Sequence, residues 1–98
     1  MLDRFLLLPA HEVDWIESAG NYARLHARGR DFLVRETMKE LAARLDPAHF
    51  ARVHRTAIVN IERVREIHPD DQGDFEVLLE GGARVRMSRT FRNQLLPR

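Results

Sequence analysis

Arg52-Val53-His54-Arg55-Thr56-Ala57-Ile58-Val59-Asn60 joins a dense polar run to an apolar one without a break. Arg52, His54, Arg55 and Thr56 offer donors that match phosphate oxygens and base edges. Ala57, Ile58 and Val59 read as an anchor for burial. An arginine-rich loop reads a ligand only when its ends are fixed in a packed scaffold. The same residues also suit an amphipathic connector with solvated arginines, so the flanking sequence decides between the two.

Downstream, Ile58–Asn60 and Val64–His68 read as strands, and Asp70-Asp71-Gln72-Gly73 turns the chain. Phe75, Val77 and Leu79 alternate with Glu76 and Glu80. Gly81-Gly82 closes a hairpin onto Ala83–Met87, with Arg84 and Arg86 on one face and Val85 and Met87 on the other. Ser88 suits the N-cap of a last short helix that buries Phe91 and Leu95, turns Arg89 and Arg92 outward and ends at Pro97.

Upstream, 48–52 reads as a turn that carries Phe50 inward. Thr37-Met38-Lys39-Glu40 forms a capping box, in which the Thr hydroxyl accepts a backbone N–H and Glu40 reaches back. Met38, Leu41, Ala42 and Leu45 follow as one helical stripe, and Asp46-Pro47 stops it. A helix of about nine residues does not hold alone and must pack on a sheet. Before it, Val13–Ser18 and Tyr22–Ala27 read as strands joined at Gly20-Asn21, and Arg28-Gly29 turns the chain into Arg30–Arg35. Phe5–Leu8 is an apolar run that Pro9 ends or sets at a sheet edge. The expected fold is mostly β, built of antiparallel sheets with two short helices. Trp15, Ile58, Val59 and Phe91 are expected in its core, and Asn60 at a strand end, bonding to backbone.

Ninety-eight residues suit a single domain spanning 1–98. With no Cys, disulfides and thiolate metal sites are excluded, and a reducing compartment fits. Phe5–Ala10 is too short to span a bilayer and lacks the layout of a signal peptide, so a soluble cytoplasmic protein with no membrane partner is expected. The net charge is only +1, but its distribution is uneven. Residues 66–80 carry six acids and no Lys or Arg; residues 81–98 carry five arginines and no acid. Residues 47–65 set Arg52, Arg55, Arg63 and Arg65 against Glu62 alone. This predicts one basic lobe and one acidic lobe.

Catalytic patterns are lacking. His11, His26, His49, His54 and His68 form no ligand-spaced pair, so neither metal nor cofactor is expected. Ser18 and Ser88 lie in no nucleophile elbow, and no phosphate-binding glycine loop occurs. Nothing singles out a carboxylate pair. The chain does not read as an enzyme.

With Gly20-Asn21-Tyr22 and Arg52-Val53-His54-Arg55-Thr56 in hand, the chain resembles LytTR-type DNA-binding domains, the output domains of LytR/AlgR-family bacterial response regulators. The resemblance runs nearly end to end: Trp15–Tyr22, Arg35–Leu41, Leu45-Asp46-Pro47 through Phe50 into Arg52–Asn60, then Val85–Phe91. Thr56 stands where Ser is commoner, keeping the hydroxyl. The resemblance implies an elongated antiparallel β fold whose loops reach into the major groove of double-stranded DNA. Three regions would supply the contacts. Arg55, Arg89, Thr90, Asn21 and Tyr22 would meet bases, with Tyr22 divided between such a role and burial in the core. Lys39, Arg52, His54, Thr56, Ser88 and Arg92 would meet phosphates, aided by free N–H groups at the start of the last helix. Pairing on repeated half-sites as a dimer is implied, as is an upstream receiver domain or sensor partner that these residues do not include. A rival reading keeps the fold but binds protein instead of DNA.

Overall fold

The computed structural model describes residues 8–96, so the expectations for Phe5–Leu7 and Pro97 lie outside the described residues. Eight strands and one α-helix follow in the order β1 (Val13–Ala19), β2 (Tyr22–Ala27), β3 (Arg30–Val34), α1 (Met38–Arg44), β4 (Phe50–His54), β5 (Ala57–Asn60), β6 (Val64–Pro69), β7 (Phe75–Leu79) and β8 (Arg84–Met87). Two antiparallel sheets result, one ordered β3-β2-β1-β5-β4 and the other β6-β7-β8. The molecule is elongated, 47 × 24 × 23 Å.

The five-stranded sheet is apolar on both faces, and β5 shows why. All four of its residues are buried. Ile58 faces α1, with Val13, Ile16, Ala23, Met38, Leu41 and Phe50. Ala57 and Val59 face the three-stranded sheet, with Val53, Val77, Leu79, Val85 and Met87. The period of two along a strand sends successive side chains into opposite layers. Burial of a side chain such as Ile58 or Val59 contributes roughly 1.5–3 kcal/mol, so this short strand ties helix, sheet and second sheet together.

The broken alternation in β1 also has a cause. The β1–β2 register shifts between Val13 and Trp15. This bulge places Val13 and Ile16, three apart, in the α1 layer, while Trp15 packs toward the other layer. Trp15 stacks on His26, centroids 4.4 Å apart and planes 6° from parallel.

Several expectations need correction. The turn expected over 48–52 is shorter, because β4 already begins at Phe50. Helix α1 has seven residues, and Ala42 is exposed; Met38 and Leu41 are buried and Leu45 packs on the same cluster. The capping box forms as expected, and Glu40, accepting the Thr37 N–H, has its pKa lowered. The last short helix is a 3₁₀ segment, Arg89–Gln94. Trp15 and Phe91 are half-buried rather than core: Trp15 packs on the edge of the second cluster, and Phe91 lies under the Arg52 guanidinium.

Asn60 is the one buried polar residue of the described core. Its Nδ2 donates to Val13 O at 2.9 Å, and its Oδ1 accepts the Glu62 N–H at 3.0 Å. The side chain thus ties β5 to the start of β1 and caps the 3₁₀ turn Ile61–Arg63. Asn60→Ala is expected to cost about 2 kcal/mol, since the buried Val13 carbonyl and the part-buried Glu62 N–H both lose a partner. Urea unfolding checks this through a lower midpoint with an unchanged slope.

Candidate nucleic-acid interface

Strand register brings three separated segments to one end of the large sheet. Glu17 pairs with Ala57, and Ala19 with Tyr22, so the β1–β2 turn and the β4–β5 turn project the same way. Ala23 pairs with Val34, which puts the β3–α1 connection at that end too. Backbone bonds link the pieces. Ser18 N–H donates to Thr56 O at 2.9 Å, and Ser88 N–H donates to Val53 O at 2.8 Å. A groove of about 270 Å³ follows, lined by Ser18, His54, Thr56, Arg84 and Arg86 among others.

The β4–β5 turn is Arg55-Thr56, and neither residue has positive φ. A register shift between Arg52 and His54 lets the hairpin close without glycine. Arg52 Nη2 donates to Arg55 O at 2.8 Å, and its guanidinium lies over the Phe91 ring, 5.8 Å from the centroid. Arg52 is half-buried, so its side chain braces the turn against the 3₁₀ segment instead of standing free in solvent. His54 Nδ1 accepts the Thr56 N–H at 3.2 Å and lies 2.8 Å from Thr56 Oγ1. A neutral ring accepting at Nδ1 carries its proton on Nε2. Arg55 is exposed at the tip.

At the β1–β2 turn only Gly20 takes positive φ, at 65°. Asn21 and Tyr22 are exposed; Tyr22 is 42% accessible, which rules out a core role. Asn21 lines a shallow depression with Arg35, Glu36, Thr37 and Glu40. Helix α1, carrying exposed Lys39 in its first turn, therefore starts beside this turn.

The start of the 3₁₀ segment departs from expectation. The amides at the start of the last helix are not free. Ser88 Oγ accepts the Thr90 N–H at 3.3 Å, and Asp74 Oδ1 accepts the Arg89 N–H at 3.0 Å. Ser88 Oγ also lies 2.9 Å from Thr90 Oγ1. The side chains of Arg89, Thr90 and Arg92 remain exposed.

The division into acidic and basic lobes is also corrected. The β7–β8 hairpin folds the acidic stretch onto the basic one. Arg86 meets Asp74 at 2.8 Å, and Arg84 meets Glu76 at 3.4 Å. Elsewhere Arg24, Arg28, Arg44 and Arg63 each pair with a carboxylate. Among the described residues, Arg35, Lys39, Arg52, Arg55, Arg89 and Arg92 have no ion-pair partner, and all six belong to the segments just described. Arg30, which lies over Phe32, and Arg65 are likewise unpaired but lie outside them.

Two residues at this end are absent from the sequence-based set. Arg35 carries an unpaired charge beside Asn21; its place at the end of β3 was the available signal. Asp74 supports Arg89. Counting outward from Gly81-Gly82, the register that pairs Phe75 with Met87 sets Asp74 opposite Ser88.

The side-chain hydrogen bond from Arg86, then the Arg89 N–H, holds the Asp74 carboxyl below its ordinary pKa. A depressed folded-state pKa gives stability that is present above the unfolded value and lost as pH falls through the folded one. Stability is therefore expected to fall as acidification carries the chain below the ordinary Asp range and on through the depressed folded-state pKa of Asp74. Asp74→Asn should flatten part of that loss, as read from urea midpoints across the range. Arg52→Lys is expected to loosen the turn, because a point-charge ammonium does not reproduce the guanidinium's planar reach. Faster amide exchange confined to Arg55 and Thr56 would be its signature.

Residues 3–97 match the LytTr DNA-binding domain family. Transcriptional regulatory protein LytR of Staphylococcus aureus (strain MW2) is 24% identical over 89 residues, covering 91% of this chain and 36% of that protein. Sensory transduction protein LytT of Bacillus anthracis is 33% identical over 64 residues, covering 65% of this chain and 26% of that protein. The chain thus spans about a third or less of these relatives' length. A solved LytTr DNA-binding domain from Bacillus cereus superposes with a TM-score of 0.85 at 23% identity, covering 96% of this chain and 90% of that one.

Proposed function

Because the chain belongs to the LytTr DNA-binding domain family, we propose that it binds double-stranded DNA sequence-specifically, as the output domain of a bacterial transcriptional regulator of response-regulator type. The observation that carries this reading is the distribution of unpaired cations. Folding neutralises six arginines against carboxylates. It leaves Arg35, Lys39, Arg55, Arg89 and Arg92 unpaired, on segments that converge at one end of the sheet. A group of unpaired cations on converging segments suits a polyanion that presents phosphates on either side of a groove.

Arg55 is the leading base reader, because it stands exposed at the tip of a braced turn and a guanidinium can take guanine O6 and N7 together. Arg89 is the second, with Thr90, Asn21 and Tyr22 flanking. Lys39 and Arg92 meet phosphates, with Arg35 added to them. His54 offers its Nε2–H, and the Thr56 and Ser88 hydroxyls stand close by. Arg52 acts mainly by bracing the turn. The protein works in the cytoplasm without catalysis or cofactor, and binds as pairs on half-sites about one helical turn apart, under a receiver domain or sensor partner.

The rival reading, a protein-binding module, draws on edge strand β3, where Leu33 is 59% accessible. Salt dependence separates the two. With about five phosphates contacted, log K against log salt should fall with a slope near −4 to −5. A flat plot on every duplex would favour the protein module. After selection of a site from random duplexes, Arg55→Ala is expected to relax base preference, whereas Lys39→Ala weakens all duplexes about equally. Retention of the selected motif by Arg55→Ala would remove Arg55 from the reading.

A further inference from the structure

We infer that the turn formed by Asp70–Asp74 is a positioning device for Arg89, with Asp74 as its central residue and Gly73 as the gap that admits the guanidinium. The inference rests on the DNA-reading role given to Arg89 above. Two observations support it independently. Asp74 Oδ1 accepts the Arg89 backbone N–H at 3.0 Å, while its Oδ2 takes Arg86 Nη2 at 2.8 Å. The Asp74 side chain is only 16% exposed, so its geometry is set by these partners. Separately, Gly73 has φ +90°, and a Cβ there would lie 2.8 Å from Arg89 Nη1. A side chain at 73 would therefore crowd the guanidinium and push it from this position.

The turn itself is held from within. Asp70 Oδ1 accepts the N–H groups of Gln72 and Asp74 at 2.8 and 2.9 Å, and the Asp70 N–H donates to Asp74 O at 2.9 Å. One end of Arg89, its backbone, is therefore pinned by Asp74. The other end rests on a turn with a fixed course. A side chain ordered before binding loses less entropy on meeting a base edge. The acidic run that would oppose DNA on charge alone thus orients the arginine that reads it.

Two measurements test this, one with DNA and one without. In the folded chain, Asp74→Ala should speed exchange of the Arg89 amide relative to Val77, whose exchange in the central strand β7 reports global opening. Asp74→Asn, which keeps an oxygen acceptor, should retain the protection. On DNA, Asp74→Ala should lower affinity for the selected site about tenfold with little change on scrambled duplex. Asp74→Ala combined with Arg89→Ala should be no weaker than Arg89→Ala alone, because Asp74 acts through Arg89. Equal Arg89 exchange in Asp74→Ala and the parent chain, or additive losses in the double variant, would overturn the inference. Should Asp74→Ala not fold, the unaltered chain still decides. Its Arg89 amide resonance should move as Asp74 takes up a proton on acidification, and a stationary resonance overturns the pinning. A parent chain that selects no motif would sink the DNA reading, while the exchange and resonance data judge the positioning by themselves.

Discussion

Strand β5 is buried on both faces, and that constraint fixes most of what surrounds it. A strand with one wet face tolerates some register error; one walled on both sides does not, since a one-residue slip exchanges every side chain between layers. Ile58 must fill the α1 layer while Ala57 and Val59 fill the other. With β5 locked, β1 and β4 on either side are locked in turn, through Glu17 against Ala57 and Phe50 against Asn60. Asn60 closes the far end by bonding back to Val13. The position of the Arg55-Thr56 turn is thus a consequence of burial several residues away.

Electrostatics act on the result of that packing. Charge counted along the chain suggested separate acidic and basic lobes, yet hairpin register sets Asp74 and Glu76 beside Arg86 and Arg84. Pairs whose arginine stands in solvent, as Arg84 and Arg86 do, contribute little to stability, commonly about 1 kcal/mol or less. Their larger effect is to subtract. Once they are set aside, six of the eight unpaired cations among the described residues lie on the segments that meet at one end of the sheet, a distribution far more local than the net charge of +1 implies.

Periodicity made the strands legible, because alternation such as Val85 and Met87 against Arg84 and Arg86 survives folding unchanged. The capping box at Thr37 and Glu40 was equally readable, since its geometry is local. What sequence alone did not show depends on pairs far apart in the chain. Arg52 looked like a free cation until Phe91 and Arg55 O were brought to it. The amides of Arg89 and Thr90 looked like an open anion site until Asp74 and Ser88 took them. The Val13–Trp15 bulge broke the alternation in β1 in a way that only its partner strand explains. The hairpin centred on Gly81-Gly82 did contain the information for Asp74, because antiparallel register can be counted outward from the turn.

The proposed interface, built largely on turns and helix starts, raises the question of how it achieves precision, since turns are usually the mobile parts of a fold. Here each turn is tied to its neighbour by groups that are not themselves presented. Thr56 O holds Ser18, Val53 O holds Ser88, the Arg52 guanidinium holds Arg55 O, and Asp74 holds Arg89. Two of these ties are backbone to backbone and two run through side chains, so the exposed side chains stand on mutually braced segments and not on separate loops. A helix would supply such order through its own internal bonds. In this fold the same order comes from tertiary bonds between segments, so the placement of Arg55 and Arg89 depends on the Arg52 guanidinium and the Asp74 carboxylate that hold their backbones.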